Sequence, residues 1–130
     1  MAIFDRLSAY QGEVRSILRI MTGLLIMQHG TQKLFSFPDA SKPAVDLFSL
    51  MGLAGVIEFA GAILFVIGLF TRPVAFLLSG FTAVAYWMAH APQGFFPILN
   101  QGELAALYSF VFLYFVFAGP GKWSIDANRA

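Results

Sequence analysis

Two ionisable side chains interrupt stretches of sequence that are otherwise apolar, and they are the first candidates for chemistry. Glu58 is the charged residue of the apolar run 47–70, and His29 lies near the end of an earlier run. A charged side chain at the centre of a membrane helix costs about 2.5 to 3.5 kcal/mol, so it must face protein or water. A carboxyl with an imidazole in reach can exchange a proton. We predict Glu58 and His29 as the catalytic pair of a proton relay or a quinol site.

A structural role is the alternative for Glu58. A buried ion pair, or a protonated carboxyl that is hydrogen-bonded across helices, would need no ligand. The neighbours of Glu58 on the same helical face are small: Ala54, Gly55, Gly61 and Ala62. Small residues let another backbone approach closely, and here they also predict space beside the acid that a ligand or water could fill.

Other polar residues recur at the spacing of a helix face. At about 100° per residue, positions four and three apart stay within roughly 40° of one line. This arithmetic predicts one inward stripe on each of three apolar stretches. The stripes consist of Arg15, Arg19, Thr22, Ile26, His29 and Lys33; of Ser79, Thr82, Tyr86 and His90; and of Glu103, Ala106, Phe110 and Tyr114.

Four apolar stretches, separated by turn signals rich in Pro and Gly, must position these residues. Each is close to the roughly 20 residues that cross about 30 Å of hydrocarbon. We therefore predict an all-α fold, an integral membrane four-helix up-down bundle that forms a single transmembrane domain over residues 1–130. The predicted spans are 14–35, 48–70, 73–91 and 101–118.

The N-terminal segment 1–12 is shorter and more polar than the spans. Its apolar residues Ile3, Phe4, Leu7 and Tyr10 recur at helical spacing, which predicts a short interfacial helix. A frayed polar terminus is the alternative.

Charge next to the spans predicts the orientation. Six basic residues fall on one side of the predicted membrane and two on the other, which favours both termini in the cytoplasm of a multi-pass protein. The two groups are Arg6, Arg15, Arg19, Arg72, Lys122 and Arg129, against Lys33 and Lys42.

The stripes, together with the depth of their residues in the predicted spans, predict one polar cavity that opens outward. Lys33 and Glu103 are expected to pair at its mouth, and Phe95 and Phe96 to cover its entrance. At the inner end, Arg15 and Arg19 are expected to contact lipid phosphates or to cap the base of the bundle. The predicted cavity residues are Gln28, His29, Lys33, Glu58, Tyr86, His90 and Glu103.

Composition excludes several classes of function. The chain is 58% hydrophobic and 12% charged, whereas a soluble domain has about a quarter charged residues. A net charge of +1 gives no basic footprint for nucleic acid. The absence of cysteine excludes disulfides, thiol nucleophiles and cysteine-held iron–sulfur clusters. Two histidines are weak support for haem, and the Glu-x-x-His spacing of two-metal bundles is missing, so we predict no metal.

Three runs of residues together resemble the DoxX family of small bacterial membrane proteins. Each run is moderately specific, and their order and distances strengthen the match, which covers nearly the whole chain. Trp123 stands where that family often has Tyr. The runs are Leu18, Arg19, Gly23, His29, Gly30, Gln32, Lys33 and Leu34; Glu58, Gly61, Gly68, Leu69, Thr71 and Arg72; and Asn100, Gly102, Glu103, Leu104, Leu107 and Tyr108, followed by Gly119, Pro120, Gly121, Lys122, Ser124 and Asp126.

The resemblance implies a four-helix protein of the bacterial inner membrane. It also implies an association with quinone-linked redox chemistry, with thiosulfate:quinone oxidoreductase, or with resistance to quinones, catechols and oxidative stress. The chain has no electron-transfer motif of its own, so it would need a bound cofactor or a redox partner protein. A quinone is the candidate ligand. The alternatives are a membrane scaffold or assembly subunit of a redox complex, and a small-solute transporter subunit acting as a homo-oligomer.

Overall fold

Helices account for all the regular secondary structure in the computed structural model, which describes residues 1–129. The chain forms two compact units: Met1–Thr71 together with the C-terminal segment from Pro120, and Arg72–Gly119. The α-helices in chain order are α1 (Ala2–Leu7), α2 (Gln11–Phe35), α3 (Leu50–Ile67), α4 (Thr71–Ala85), α5 (Pro97–Asn100), α6 (Glu103–Ala118) and α7 (Ile125–Arg129).

Each of the four predicted spans coincides with a helix. Two helical stretches in the described chain are long and apolar enough to cross a membrane, judged by length and composition. They are Leu50–Ile67, which is α3, and Thr71–Gln93, which is α4 with the two helical turns that follow it. Glu103–Ala118 is apolar but shorter. Helix α2 has the length, but its polar stripe lowers its hydropathy. The helices therefore fit a membrane protein, while the four-span bundle, its orientation and its single domain stay predictions.

In the first unit, α2 and α3 run antiparallel and approach each other closely because glycines lie where they cross. A Cβ on Gly30 would lie 2.7 Å from the backbone nitrogen of Phe59, and one on Gly23 would lie 2.5 Å from the side chain of Val66. A larger residue at Gly30 would force the two backbones apart, and one at Gly23 would displace the Val66 side chain. The glycines thus fix which residues of α2 face α3.

Local signals define both ends of α3. The Ser49 hydroxyl accepts a hydrogen bond from the Gly52 N–H at 3.0 Å, as an N-cap residue does. Gly68 adopts a left-handed conformation with φ of +70° and closes the helix. The position of Glu58 within α3 follows from these two ends.

The N-terminal segment is helical, as its spacing predicts. Helix α1 and a 3-10 turn at Ser8–Tyr10 lead directly into α2. No residue of α1 is buried, and Ile3 and Phe4 are 70% and 67% exposed. The apolar face is therefore uncovered, and its location in a membrane interface stays a prediction.

In the second unit, the helical stretch that covers the predicted span 73–91 changes its hydrogen-bonding pattern near its end. The α-helical hydrogen bonding stops at Ala85, and a π-helical turn follows at Tyr86–His90. The 3.6-residue period cannot reveal the extra residue of such a turn. Helices α4 and α6 are joined by a hydrogen bond of 2.7 Å from the Ser79 hydroxyl to the Ser109 carbonyl.

The prediction that one stripe of α6 faces inward was wrong. Glu103, Phe110 and Tyr114 are exposed. Helix α6 is apolar on nearly every face, so the sequence contains no period that marks the inner one. The side chains that α6 buries are Tyr108, Phe112 and Phe115.

Candidate functional site

The structure places Glu58 in an ion pair with Lys33. Lys33 Nζ donates to both carboxylate oxygens, at 3.0 Å to Oε1 and 2.8 Å to Oε2. The Glu58 side chain is 9% exposed and that of Lys33 is 18% exposed. Charges this far removed from solvent require a partner, and each supplies the other's. The pair joins the last turn of α2 to the middle of α3.

This arrangement corrects two expectations. Lys33 was expected to pair with Glu103, but its partner in the structure is Glu58. Space was also expected beside Glu58, and the Lys33 side chain occupies that position. Gly55 makes room for it, because a Cβ there would lie 3.1 Å from the Cβ of Lys33.

His29 lies beside this pair, at the edge of the buried face of α2. It interacts electrostatically with both Glu58 and Lys33, yet the residue is exposed, as is Gln28. The stripe predicted for α2 is thus correct at Arg19 and Ile26, which are buried. It is not correct at His29, which is exposed. We call His29, Lys33 and Glu58 the ionic cluster.

The connection after α2 is fastened near the ionic cluster. Val45 donates its N–H to the Lys33 carbonyl at 2.8 Å. Gln32 and Asp39 exchange two hydrogen bonds of 2.9 Å through the Gln32 amide and the Asp39 backbone. Hydrogen bonds from Ser41 lower the pKa of the Asp39 carboxyl. These contacts hold the end of α2, and hence Lys33, in place.

Arg19 forms a different kind of polar centre at the other end of the α2–α3 pair. The residue is fully buried, and its guanidinium donates only to backbone carbonyls. Its role is to cap helix α3 and to hold the C-terminal segment, so contact with lipid phosphates is excluded by its burial. The acceptors are Phe65 at 2.9 Å, Val66 at 3.3 Å, Trp123 at 2.6 Å and Pro120. Arg15, one turn away, is half-buried.

The C-terminal segment completes this end of the first unit. The Asp126 carboxylate accepts the N–H groups of Phe70 and Thr71 at 2.9 and 2.8 Å, and so caps the start of α4. Lys122 pairs with Glu13 at 3.0 Å, and this hydrogen bond lowers the pKa of the Glu13 carboxyl. We call Arg19 with its carbonyl partners the arginine clasp.

The second unit holds a group of neutral polar residues, of which Tyr86 and His90 are predicted from the sequence and Asn100 is not. Asn100 is fully buried and connects the two expected residues Tyr86 and His90. Its Nδ2 donates to the Tyr86 hydroxyl at 3.2 Å, and its backbone carbonyl lies 3.1 Å from His90 Nδ1. Asn100 belongs to one of the runs that resemble DoxX, which is the signal that could have found it. We call Tyr86, His90 and Asn100 the neutral cluster.

Glu103 is not part of the neutral cluster. It is exposed, and it lines a shallow cavity of about 370 Å³ on the second unit together with apolar residues such as Leu104 and Leu107. Phe95 and Phe96 are 86% and 58% exposed in the connection before α5. Their predicted place over a cavity entrance stays a prediction.

Among residues 1–129, no group of three or more His, Asp or Glu side chains is arranged to hold a metal ion.

Fold and clusters define an all-helical protein with apolar helices of membrane length and buried polar groups on their faces. The chain belongs to the DoxX family, whose match covers residues 14–91. It is 45% identical over 128 residues to an uncharacterized protein of Haemophilus influenzae, with 94% of this chain and 95% of the relative aligned. No solved structure matches the chain. The resemblance to DoxX inferred from the sequence runs is thus confirmed.

Proposed function

We propose that this protein spans the bacterial inner membrane four times, with both termini in the cytoplasm, and binds a quinone or a similar apolar ring. In this proposal it takes part in quinone-linked redox chemistry or in protection against quinones. Membership of the DoxX family and the two apolar helices of membrane length support the membrane part. The ionic cluster supports the ligand part.

The observation that carries the proposal is an exposed imidazole near the buried pair of the Glu58 carboxyl and the Lys33 amine. Both oxygens of the Glu58 side chain accept hydrogen bonds from Lys33 Nζ, which fixes the orientation of the carboxyl group. A carboxyl group and an imidazole that lie near each other can exchange a proton with a ligand. His29 would then hydrogen-bond a ring oxygen, and Glu58 would exchange the proton.

The remaining predicted residues act as ligand contacts in this proposal. Gln28 would contact the ring next to His29, and Tyr86, His90 and Glu103 are candidate ligand contacts within the second unit by itself. Electrons must come from a bound cofactor or a redox partner protein, because the sequence contains no electron-transfer motif. Assembly as a homo-oligomer in the lipid bilayer is compatible with this role.

A scaffold function is the second candidate, and one observation favours it. Lys33 satisfies both oxygens of Glu58, so the pair can act solely as a lock between α2 and α3. Buried ionic groups of this kind can specify helix register at a cost in stability. In this case the protein would hold a subunit of a redox complex in place and would bind no ring.

Two substitutions of Glu58 separate these functions. Glu58→Gln keeps the shape and removes the ionisable group, whereas Glu58→Leu removes both hydrogen bonding and charge. The proposal predicts that Glu58→Gln is inserted and folded but no longer binds a short-chain ubiquinone analogue in nanodiscs and no longer protects cells from added hydroquinone. Asp39→Asn is the matched control, since Asp39 forms an exposed pair with Lys42 at 3.9 Å.

The two functions predict opposite results for Glu58→Gln. If Glu58→Gln keeps full quinone binding and protection, the ionic cluster is not the site and the scaffold function is preferred. Absorbance spectra of gently extracted wild-type protein add a direct measurement, because a co-purified quinone or flavin supports the proposal. A scaffold predicts no chromophore and a defect in Glu58→Leu that is confined to expression and melting temperature.

A further inference from the structure

We propose that the neutral cluster is a separate binding site for the hydroxyl group of an uncharged aromatic alcohol. The proposal deepens the proposed function, because Tyr86 and His90 are among its expected ligand residues. It rests on hydrogen-bond directions within the second unit and makes no use of the ionic cluster.

Asn100 fixes the direction of the Tyr86 hydroxyl. The Asn100 side chain has Gly94 and Gly102 as its other partners: Nδ2 donates to the Gly94 carbonyl at 2.9 Å, and Oδ1 accepts from the Gly102 N–H at 2.8 Å. A carbonyl only accepts and an N–H only donates, so the amide has one orientation. Nδ2 therefore donates to the Tyr86 oxygen, and the phenol's own proton is left to donate to another group.

Asn100 also fixes the tautomer of His90. His90 Nδ1 lies 3.1 Å from the Asn100 backbone carbonyl, which can only accept a hydrogen bond. Nδ1 therefore carries the proton, and in the neutral ring Nε2 is an acceptor. The cluster thus offers one donor, the Tyr86 hydroxyl, and one acceptor, His90 Nε2.

A hydroxyl group is the ligand that matches one donor and one acceptor at once. It can accept from Tyr86 and donate to His90, whereas a ketone or ether can only accept. The site favours an uncharged ligand, because neither charged residue of the segment Arg72–Gly119 belongs to the cluster. These residues are Arg72 and the exposed Glu103. The guanidinium of Arg72 donates to carbonyls at the end of α6.

The surroundings favour an aromatic ligand. The rings of Tyr86 and His90 stack with centroids 6.4 Å apart, and Trp87 meets Tyr86 edge-on at 5.5 Å. Trp87 is 70% exposed and leaves an apolar ring available beside the polar pair. Aromatic pairs of this geometry add to apolar burial.

The backbone of the cluster is shaped to hold the two rings. A Cβ on Gly102 would lie 2.6 Å from the Tyr86 ring and 2.7 Å from the His90 Cβ, so glycine is needed there. Both rings lie on the π-helical turn Tyr86–His90. Turns of this type are rare and occur frequently at functional sites.

The test uses 2-naphthol and its methyl ether, which has the same ring and no hydroxyl proton. Calorimetric titration of the full chain in nanodiscs, corrected by empty nanodiscs, should show that 2-naphthol binds about three- to tenfold more tightly than the ether. Tyr86→Phe removes the donor and His90→Phe removes the acceptor. His90→Phe should abolish the preference for the alcohol and leave the affinity for the ether unchanged, whereas Tyr86→Phe removes a donor that both ligands use and should weaken both while the preference stays. Tyr10→Phe, at an exposed tyrosine in the N-terminal segment, is the matched control and should keep the preference.

Equal binding of the alcohol and the ether to the wild-type protein would overturn the proposal, as would an unchanged preference in His90→Phe. Circular dichroism of each variant confirms that the fold is kept, and the ratio of the two affinities is insensitive to a partial loss of folded protein. Glu58→Gln should keep the preference. Loss of quinone binding in Glu58→Gln together with equal binding of the two naphthalenes would retain the proposed function and reject this site.

Discussion

Each unit of the molecule contains an arginine that binds the carbonyl groups at the end of a helix, but the two arginines lie in different surroundings. Arg19 is fully buried, and the carbonyls that it binds belong to α3 and to the C-terminal segment. Arg72 is exposed and binds Val116 and Phe117 at the end of α6, at 2.9 and 2.6 Å. Both arginines donate hydrogen bonds to backbone carbonyls, and they differ in how far their side chains are buried.

The comparison shows that burial decides whether such a contact is essential. A carbonyl at the end of an exposed helix can bind water when its arginine is removed, whereas a buried carbonyl has no replacement partner. A cation near a helix C-terminus also interacts favourably with the helix dipole in both units. The burial of Arg19 therefore predicts a structural role that Arg72 does not share.

The largest effect is expected from removal of the arginine clasp. Arg19→Met leaves four carbonyl groups without their donor and should destabilise the fold by about 3 kcal/mol or more. The measurement is melting of the purified protein in detergent, together with the yield of inserted protein. Arg6→Met, at an exposed arginine in α1, is the control and should melt like the wild type.

An intermediate substitution sharpens this result. Arg19→Lys keeps the charge but loses the planar fork of donors that reaches several carbonyls at once. It should melt between the wild type and Arg19→Met. A melting temperature equal to that of the wild type would mean that charge alone is required, which would contradict the clasp.

The second effect concerns the ionic cluster. Glu58→Leu leaves a half-buried lysine without its partner and should cost about 1 to 3 kcal/mol, while addition of Lys33→Met should recover much of this loss. The same double-mutant cycle at Lys42 and Asp39, an exposed pair, should show coupling of less than about 0.5 kcal/mol. Simple additivity of the Lys33 and Glu58 changes would contradict the importance of the buried pair.

The sequence predicted the helices well because long apolar runs and Pro or Gly breaks are strong signals. It also placed Glu58 on a face of small residues, which the structure confirms in Gly55 and Gly61, both buried. It could not predict the partner of Glu58, because Lys33 is long and flexible and its reach depends on how closely α2 and α3 approach. That distance is set by Gly30, whose role becomes visible only in three dimensions.

The misses in the second unit have a different cause. Helix α6 is apolar around its circumference, so periodicity contains no information about its inner face. Asn100 ends the short helix α5 next to a turn, where an amide is a common residue and gives no distinct signal. Its importance follows from burial and from partners on the π-helical turn, neither of which a local pattern reveals.

The third effect tests the exposed arginine directly. Arg72→Met removes two hydrogen bonds at the end of α6, and water can replace them, so the expected cost is within about 1 kcal/mol. The measurement is again melting in detergent, side by side with Arg19→Met. A loss as large as that of Arg19→Met would break the comparison, because burial would then not distinguish the two contacts.

The smallest effect concerns Asp126, which caps α4 next to the arginine clasp. Burial raises the pKa of its carboxyl, but hydrogen bonds from Thr71 and Phe70 outweigh burial and hold the pKa below its ordinary value. A carboxyl whose folded pKa is depressed stabilises the fold above its unfolded pKa, and this stabilisation is lost as the pH falls through the folded value.

Melting temperature against pH checks this expectation. Asp126→Asn keeps one acceptor and should cost about 0.5 to 1 kcal/mol at neutral pH, where the carboxylate accepts two N–H groups. Below about pH 4 the wild type loses the same stabilisation, so the two melting curves should converge. Asp5→Asn, in the uncovered helix α1, controls for general charge effects. A constant difference between Asp126→Asn and the wild type down to the acid limit would show that the cap does not depend on the ionised carboxyl.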